Sequence, residues 1–441
     1  MAEQEGGGRG PEPGLPRLRP LEAFPIEQDG QRLIGLRDPA GFTDQVAVLG
    51  LPLLDLVSLF DGQHSVPEIQ AVLRARYREA PTIAQIAQVI DRLDEAGFLE
   101  SRRFAERRRA IEEAFRSSPV RASVHAGGAY AGEARALAAQ IESFFSGPEA
   151  PGAIEYGGPD TARPRRRTPG NPGAPFFADV PMGQPLRGLI APHIDFHRGG
   201  PTYAWAYREL LARSDADLFV ILGTCHAGME DPFAATLKPF QTPLGPVTVD
   251  REFAEALGRR ARQDLLASEL AHRSEHSIEF QAVMLQWLLG GRRPFAIVPV
   301  LASFLHEAVW TRMDPEGDRR VPRFIDALGE TMAATRRRVC LIAGVDLAHV
   351  GPRFGDPGPN TPEVLRDVEV ADRQMLEAVT AGAPTEFYGA VVHDGDSRRI
   401  CGLSPIYTFL RALPGVQGRL LRYSLWPDPE GAVSFCAAAF P

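Results

Sequence analysis

Leu186-Arg187-Gly188-Leu189-Ile190 runs straight into Ala191-Pro192-His193-Ile194-Asp195, and this stretch decides how the second half of the chain is read. Three further apolar runs share its form. Residues 218–222 lead to Gly223-Thr224-Cys225-His226, residues 295–300 end without a candidate ligand, and residues 339–343 lead to Asp346-Leu347-Ala348-His349. Runs this short and this apolar suit strands buried on both faces, as in a parallel sheet covered by helices. In open α/β sheets the loops at the carboxyl ends of neighbouring strands converge on one crevice. His193, His226, Asp346 and His349 are therefore expected at one edge of the sheet.

Helical patterns alternate with the runs, at residues 203–213, 251–260, 278–289, 321–335, 364–381 and 405–413. Strand alternating with helix predicts a three-layer α/β domain, here over residues 118–441. Residues 147–184 are dense in Pro, Gly and Arg without periodicity, so they read as a flexible insertion within that domain.

Upstream, residues 1–20 offer almost nothing to bury and read as a disordered arm. A β-rich entry at 31–48 precedes a helix at 51–60. Ser65-Val66-Pro67-Glu68 then has capping-box spacing and starts a helix that runs to about Tyr77. Ile83, Ile86, Val89, Ile90 and Leu93 recur at helical spacing, with Gly97 as the stop and residues 98–100 as a short strand. Together these predict a small, mainly α, winged-helix-like module over residues 21–117, ending in a charged helix at 102–116.

Composition narrows the function classes. An apolar fraction of 44% and a charged fraction of 24% in 441 residues describe an ordinary globular protein. A formal charge of −8 argues against a general nucleic-acid binder, which needs concentrated Lys and Arg. No apolar stretch reaches the roughly 18 residues of a membrane helix, and no hydrophobic signal core opens the chain, so a cytoplasmic protein is expected. The 4 cysteines are widely spaced without a C-x-x-C pair, which fits neither a disulfide framework nor a structural zinc site. There is also no G-x-S-x-G, phosphate loop or dinucleotide fingerprint.

Imidazole, thiolate and carboxylate are the available transition-metal ligands, and four such groups at strand ends favour a metal site over isolated structural residues. Cys401-Gly402-Leu403-Ser404-Pro405 places a thiol at a helix start, where thiolate is favoured; a buried cysteine beside a helix cap is the plainer alternative. Glu275-His276-Ser277-Ile278-Glu279 opens another helix, with Glu275 either a general acid/base or a complement to the helix dipole.

From about Val120 onward the chain resembles the Memo family, the protein B component of the AmmeMemoRadiSam system. The resemblance is carried in order by His125-Ala126-Gly127, Ala191-Pro192-His193, Gly223-Thr224-Cys225-His226, Glu275-His276-Ser277-Ile278-Glu279, Asp346-Leu347-Ala348-His349 and Ile400-Cys401-Gly402. It implies a fold related to the class III extradiol dioxygenases, with His193, His226 and Cys401 as metal ligands. Asp346 and His349 would neighbour the metal, and Glu275 and His276 would line the pocket. Two departures stand out. His226 is followed by Ala227 where some relatives have a second histidine, and Asp195 and His197 are extra groups beside the pocket. Cys225, next to His226, also merits notice as a pocket residue.

The N-terminal module resembles PqqD-like peptide-chaperone domains through Leu54-Asp55-Leu56-Val57-Ser58-Leu59-Phe60-Asp61-Gly62, Val66-Pro67-Glu68-Ile69 and Leu93-Asp94-Glu95-Ala96-Gly97-Phe98-Leu99. That resemblance implies a peptide added to a strand edge. Two imidazoles and a thiolate suit iron or copper better than magnesium or calcium. The expectation is a metal-dependent redox protein in which Asp346, His349, Glu275 or His276 assists catalysis. The alternatives are a non-enzymatic copper-binding protein, or an accessory protein presenting a peptide to a radical-SAM enzyme.

Overall fold

The computed structural model describes residues 15–28, 31–152 and 185–441, which fall into two compact units, Met1–Ser118 and Pro119–Pro441. Most of the expected arm and insertion lies outside the described residues. Of the arm, Arg17 and Leu18 form single bridges to Asp61 and Leu99, so this end of it is ordered.

In the first unit, β1 (Glu22–Gln28), β2 (Gln31–Arg37) and β3 (Val46–Leu49) form an antiparallel sheet in that order. Helices α1 (Leu51–Val57), α2 (Val66–Arg76), α3 (Ile83–Glu95) and α4 (Arg102–Ser117) follow. Ser65 and Glu68 make the reciprocal capping box, and Thr82 with Gln85 makes a second one on α3. Ile69, Leu73, Ile86 and Leu93 meet Phe60 and Phe98 in one small core. The short strand expected at 98–100 is only the single bridge at Leu99.

The second unit is built on an 8-stranded mixed sheet. Its four central strands are β4 (Gly188–Ala191), β5 (Leu218–Thr224), β7 (Ala296–Ala302) and β8 (Val339–Gly344), which coincide with the four apolar runs. They lie parallel in the order β4-β8-β5-β7. β6 (Phe233–Ala235) closes one side antiparallel to β7. On the other side β11 (Ala432–Phe440) runs antiparallel to β4, and β10 (Arg419–Trp426) is the outer strand beyond it. β9 (Asp346–Val350) pairs with the first half of β11, so one strand holds both β4 and the segment leaving β8.

Helices cover both faces. α5 (Ala134–Ser143), α6 (Phe196–Arg213) and α8 (Ser277–Leu289) pack on one face. α7 (Arg251–Ala261), α9 (Leu305–Thr311), α10 (Arg320–Ala334), α11 (Pro362–Thr380), α12 (Pro384–His393) and α13 (Leu403–Ala412) supply the opposite core. Alternation along β5 shows why the runs carry no polar face. Leu218, Val220 and Leu222 enter the α10/α13 core, while Phe219 and Ile221 enter the α6/α8 core. Among the described residues no helix is long and apolar enough to cross a membrane.

Candidate metal centre

Three parallel strands deliver their following residues to one end of the sheet. His193 lies just past β4, His226 just past β5, and Asp346 just past β8. Helix starts complete the ring, with His276 at the N-terminus of α8 and Cys401 immediately before α13. Candidate ligand atoms of His193, His226 and His276 all lie within 4.8 Å of one another. Their rings are tightly grouped, with centroids 4.9 Å apart for His193 and His226 and 4.5 Å for the stacked His226 and His276. Cys401 Sγ approaches His193 Nε2 at 3.1 Å. The cluster opens outward through His226 and His276, whose side chains are 36% and 30% exposed, whereas that of His193 is 2% exposed at its base.

Each ring is oriented by a partner behind it. His193 Nδ1 donates to the Gly344 carbonyl at 2.9 Å, which leaves the Nε2 lone pair facing the cluster. His226 Nδ1 donates to Glu275 Oε1 at 3.0 Å, and His276 Nδ1 lies 3.3 Å from the same oxygen. Glu275 also accepts the backbone N–H groups of His226, His276 and Ser277 at 2.8, 2.8 and 3.0 Å, so one buried carboxylate ties the β5 loop to α8. Asp346 Oδ1 accepts the N–H groups of His193 and Ile194 at 2.9 and 3.2 Å.

Protonation follows from these surroundings. Burial, reinforced by His226, lowers the His193 pKa to about 3, and burial holds His276 well below the usual imidazole range. Burial also disfavours a charge on His226, but Glu275 and Cys401 outweigh it and raise its pKa well above normal. For Glu275, burial works upward and is overcome by His226 and His276, which hold the carboxyl well below its usual range. Burial raises Asp346 to about 6, lifts the Cys401 thiol against the pull of His226, and lowers His349. His193 and His276 are held neutral, and His226 carries a proton that a metal ion would displace; imidazoles braced by a carboxylate and a carbonyl, with a thiol alongside, are a donor set that fits a transition metal.

The other sequence candidates fall in different places. His349 stands on β9 with Nδ1 at 3.1 Å from the Leu347 carbonyl, and Phe354 packs edge-on to its ring. Asp195 caps α6 and pairs with Arg198 at 2.6 Å and His197 at 2.9 Å. The His197 side chain is 63% exposed and its ring meets Trp426 edge-on. Cys225 is buried, its thiol pushed up to about 12 chiefly by burial, and it donates to the Gly228 carbonyl at 3.5 Å.

Behind the cluster stands a group that sequence reasoning missed. Arg121 is fully buried and pairs with the equally buried Glu279 of α8. It donates to the carbonyls of His272 at 2.9 Å and Glu275 at 2.5 Å, fixing the segment that carries Glu275 and His276. Glu279 also accepts from the His125 amide at 3.1 Å and from the Tyr130 hydroxyl. A lone arginine in a coil gives no sequence signal, though Glu279 was within reach as the last residue of the Glu275–Glu279 motif.

His272 yields a pH prediction. Its Nε2 bonds to the Ala234 carbonyl at 3.0 Å, and burial lowers its pKa to about 4. The unfolded chain, with a histidine pKa of about 6.5, takes up a proton that the folded protein refuses. Stability should therefore fall as pH drops from about 6.5 to about 4, by up to roughly 3 kcal/mol from this residue. Urea midpoints measured across that window should decline less steeply in His272→Gln. An equal decline would reassign the effect.

Comparison with known proteins places this geometry. A family model described as Memo-like protein matches residues 121–438. A MEMO1 family protein of Aquifex aeolicus is 26% identical over 422 residues, 95% of this chain and 98% of that protein, so the alignment reaches into the first unit. MEMO1 family proteins of Thermus thermophilus and Methanocaldococcus jannaschii are 30% and 31% identical, covering 57% and 56% of this chain and 70% and 79% of their own. The matched region begins at Arg121, which braces the histidine cluster, and runs through β11, which holds its opposite side; on that ground the chain belongs to the Memo family.

Proposed function

We propose that the second unit holds iron or copper at His193, His226 and Cys401 and uses it in redox chemistry, with His276 as an adjoining imidazole. The observation that carries this reading is the convergence of three imidazoles within 4.8 Å, with Cys401 Sγ 3.1 Å from His193 Nε2. Imidazole with thiolate suits these metals, and when bound they supply one-electron chemistry towards oxygen or a coordinated substrate. Asp346, raised to about 6, is poised to give or take a proton near neutral pH. Glu275 keeps the rings of His226 and His276 oriented, and His349 stands ready beside Asp346. Resemblance to extradiol dioxygenases supports an oxygenase-type pocket, although a thiolate in place of a carboxylate departs from the usual facial triad.

The test is elemental analysis of protein purified without added metal, followed by an oxygen-consumption screen. Iron or copper near one equivalent is the expected result. No transition metal after anaerobic reconstitution would overturn the assignment.

A second reading rests on the first unit. Its edge strand β3 exposes Val46 and Val48, and Leu51 lies open just beyond. Such an edge fits the PqqD-like mode, in which a peptide adds as a further strand and is presented to a radical-SAM partner. Capture of a peptide by the protein without substrate turnover would favour this accessory role, in a cytoplasmic setting.

A further inference from the structure

β10 is the outer strand of the large sheet, and its residues 422–426 line a groove of about 700 Å³. The start of α6 forms one wall, with Arg198 and Thr202, and α11 forms the other, with Arg366 and Arg373. Thr202 Oγ1 meets Ser424 Oγ at 2.9 Å, fixing the first wall to the strand. Five consecutive strand residues can line one groove only if the free backbone edge opens into it. Among the described residues no strand pairs with the outer side of β10, and a strand edge between two helices is the geometry that accepts an added strand.

Charge selects the occupant. Arg198, Arg366, Arg373 and Arg422 line the groove against Glu149 and Glu369, with Arg198 also paired to Asp195 at 2.6 Å, in a chain whose formal charge is −8. Glu149 pairs with Arg422 at 2.8 Å and Glu369 with Arg373 at 2.8 Å, through carboxylates whose side chains are 67% and 44% exposed. Such pairs are worth at most about 1 kcal/mol and exchange readily for an incoming carboxylate. Tyr423 and Trp426 add aromatic surface for side chains between the acids. A second copy is disfavoured, because β10 reads Arg-Leu-Leu-Arg-Tyr-Ser-Leu-Trp and would set arginine strand against arginine strand. Residues 153–184 carry four arginines against three acids, again the wrong sign.

We propose that this groove binds an extended acidic peptide segment, which adds to the β10 edge as a further strand while its carboxylates meet the wall arginines. The groove is also joined to the metal centre through the sheet. Phe435 lines the groove and stands opposite Asp346 across the β11–β9 pair. Tyr423 donates to buried Asp372 at 3.0 Å, and Asp372 accepts from Ser434, whose Oγ in turn accepts the Ala348 amide at 2.9 Å.

The experiment uses the full chain and a fluorescein-labelled peptide of eight residues alternating glutamate and valine. Saturable binding is expected, weakened about tenfold or more by Arg366→Glu with Arg373→Glu. Both substitutions lie on the exposed side of α11, and an unchanged melting temperature confirms the fold. The same peptide N-methylated at alternate residues keeps its charge but loses its strand donors, and should also bind at least about tenfold more weakly. Equal binding of the methylated peptide would overturn strand addition in favour of a plain anion site. Equal binding to the charge-reversed protein would overturn the groove assignment. Concentration-dependent self-association without peptide binding would overturn it in favour of a second copy.

Discussion

Purified His193→Ala protein is expected to hold less than about a tenth of the wild-type metal, and Cys401→Ser the same, while both melt within a few degrees of wild type. His193 sits at the closed base of the cluster, with Gly344 fixing the lone pair that would face the ion. Removing that imidazole takes away the most buried donor of the three. His276→Ala provides the contrast. That ring stands at the open side and leans on Glu275, so its loss should weaken affinity by about 10- to 100-fold yet leave stoichiometry intact at saturating metal. Metal content by mass spectrometry, with a competitive chelator titration, separates the three. Full stoichiometry in both His193→Ala and Cys401→Ser would remove the site from these residues altogether.

Arg121→Met is expected to destabilise the second unit by about 3–5 kcal/mol, because it leaves the Glu279 carboxylate buried without its cation. Glu279→Gln should also be costly, since it leaves the buried Arg121 cation without its anion, although the amide oxygen still accepts from the His125 amide and Tyr130. The double variant should recover part of the loss, as two members of one buried pair are not additive. Denaturant unfolding measures all three. A difference below about 1 kcal/mol for Arg121→Met would mean that the pair braces nothing.

The four central strands were legible because their residues are apolar on both faces, and burial on both faces is what such runs require. The outer hairpin was not. β11 contains Ala437-Ala438-Ala439, whose low strand propensity gives no signal, yet all three are buried, Ala437 and Ala439 on the α6 side of the sheet and Ala438 in the opposite core. α6 starts at Phe196 rather than near Tyr203, since Gly199, Gly200 and Pro201 look like a turn by propensity. Tertiary contact overrides them: a Cβ at Gly200 would fall 2.4 Å from the Phe144 ring, so close packing is what the glycine serves. β9 was read only as a loop carrying Asp346 and His349; it became a strand by pairing with β11, a partner that local sequence cannot announce.

The site divides along the same line. His193, His226 and Asp346 follow strands, so the strand reading carried them to one place. His276 is the third member of the imidazole group; it follows no strand, and only the family resemblance marked it, as a pocket-lining residue. Asp195 and His197 were expected beside the pocket on proximity in sequence. In the first turn of α6, Asp195 pairs with Arg198 and His197, and the His197 ring meets Trp426.

That β11 holds both β4 and β9 has a consequence for biosynthesis. The ribosome releases β4 early, β8 much later, and β11 after every other strand of this sheet. A nascent chain that ends after α13 already owns every histidine and the cysteine of the cluster. It still lacks the strand that pairs with β4 along one half and with β9 along the other. The last strand made is thus the one that joins the two, and a chain cut short in synthesis would leave β9 without its partner in the sheet.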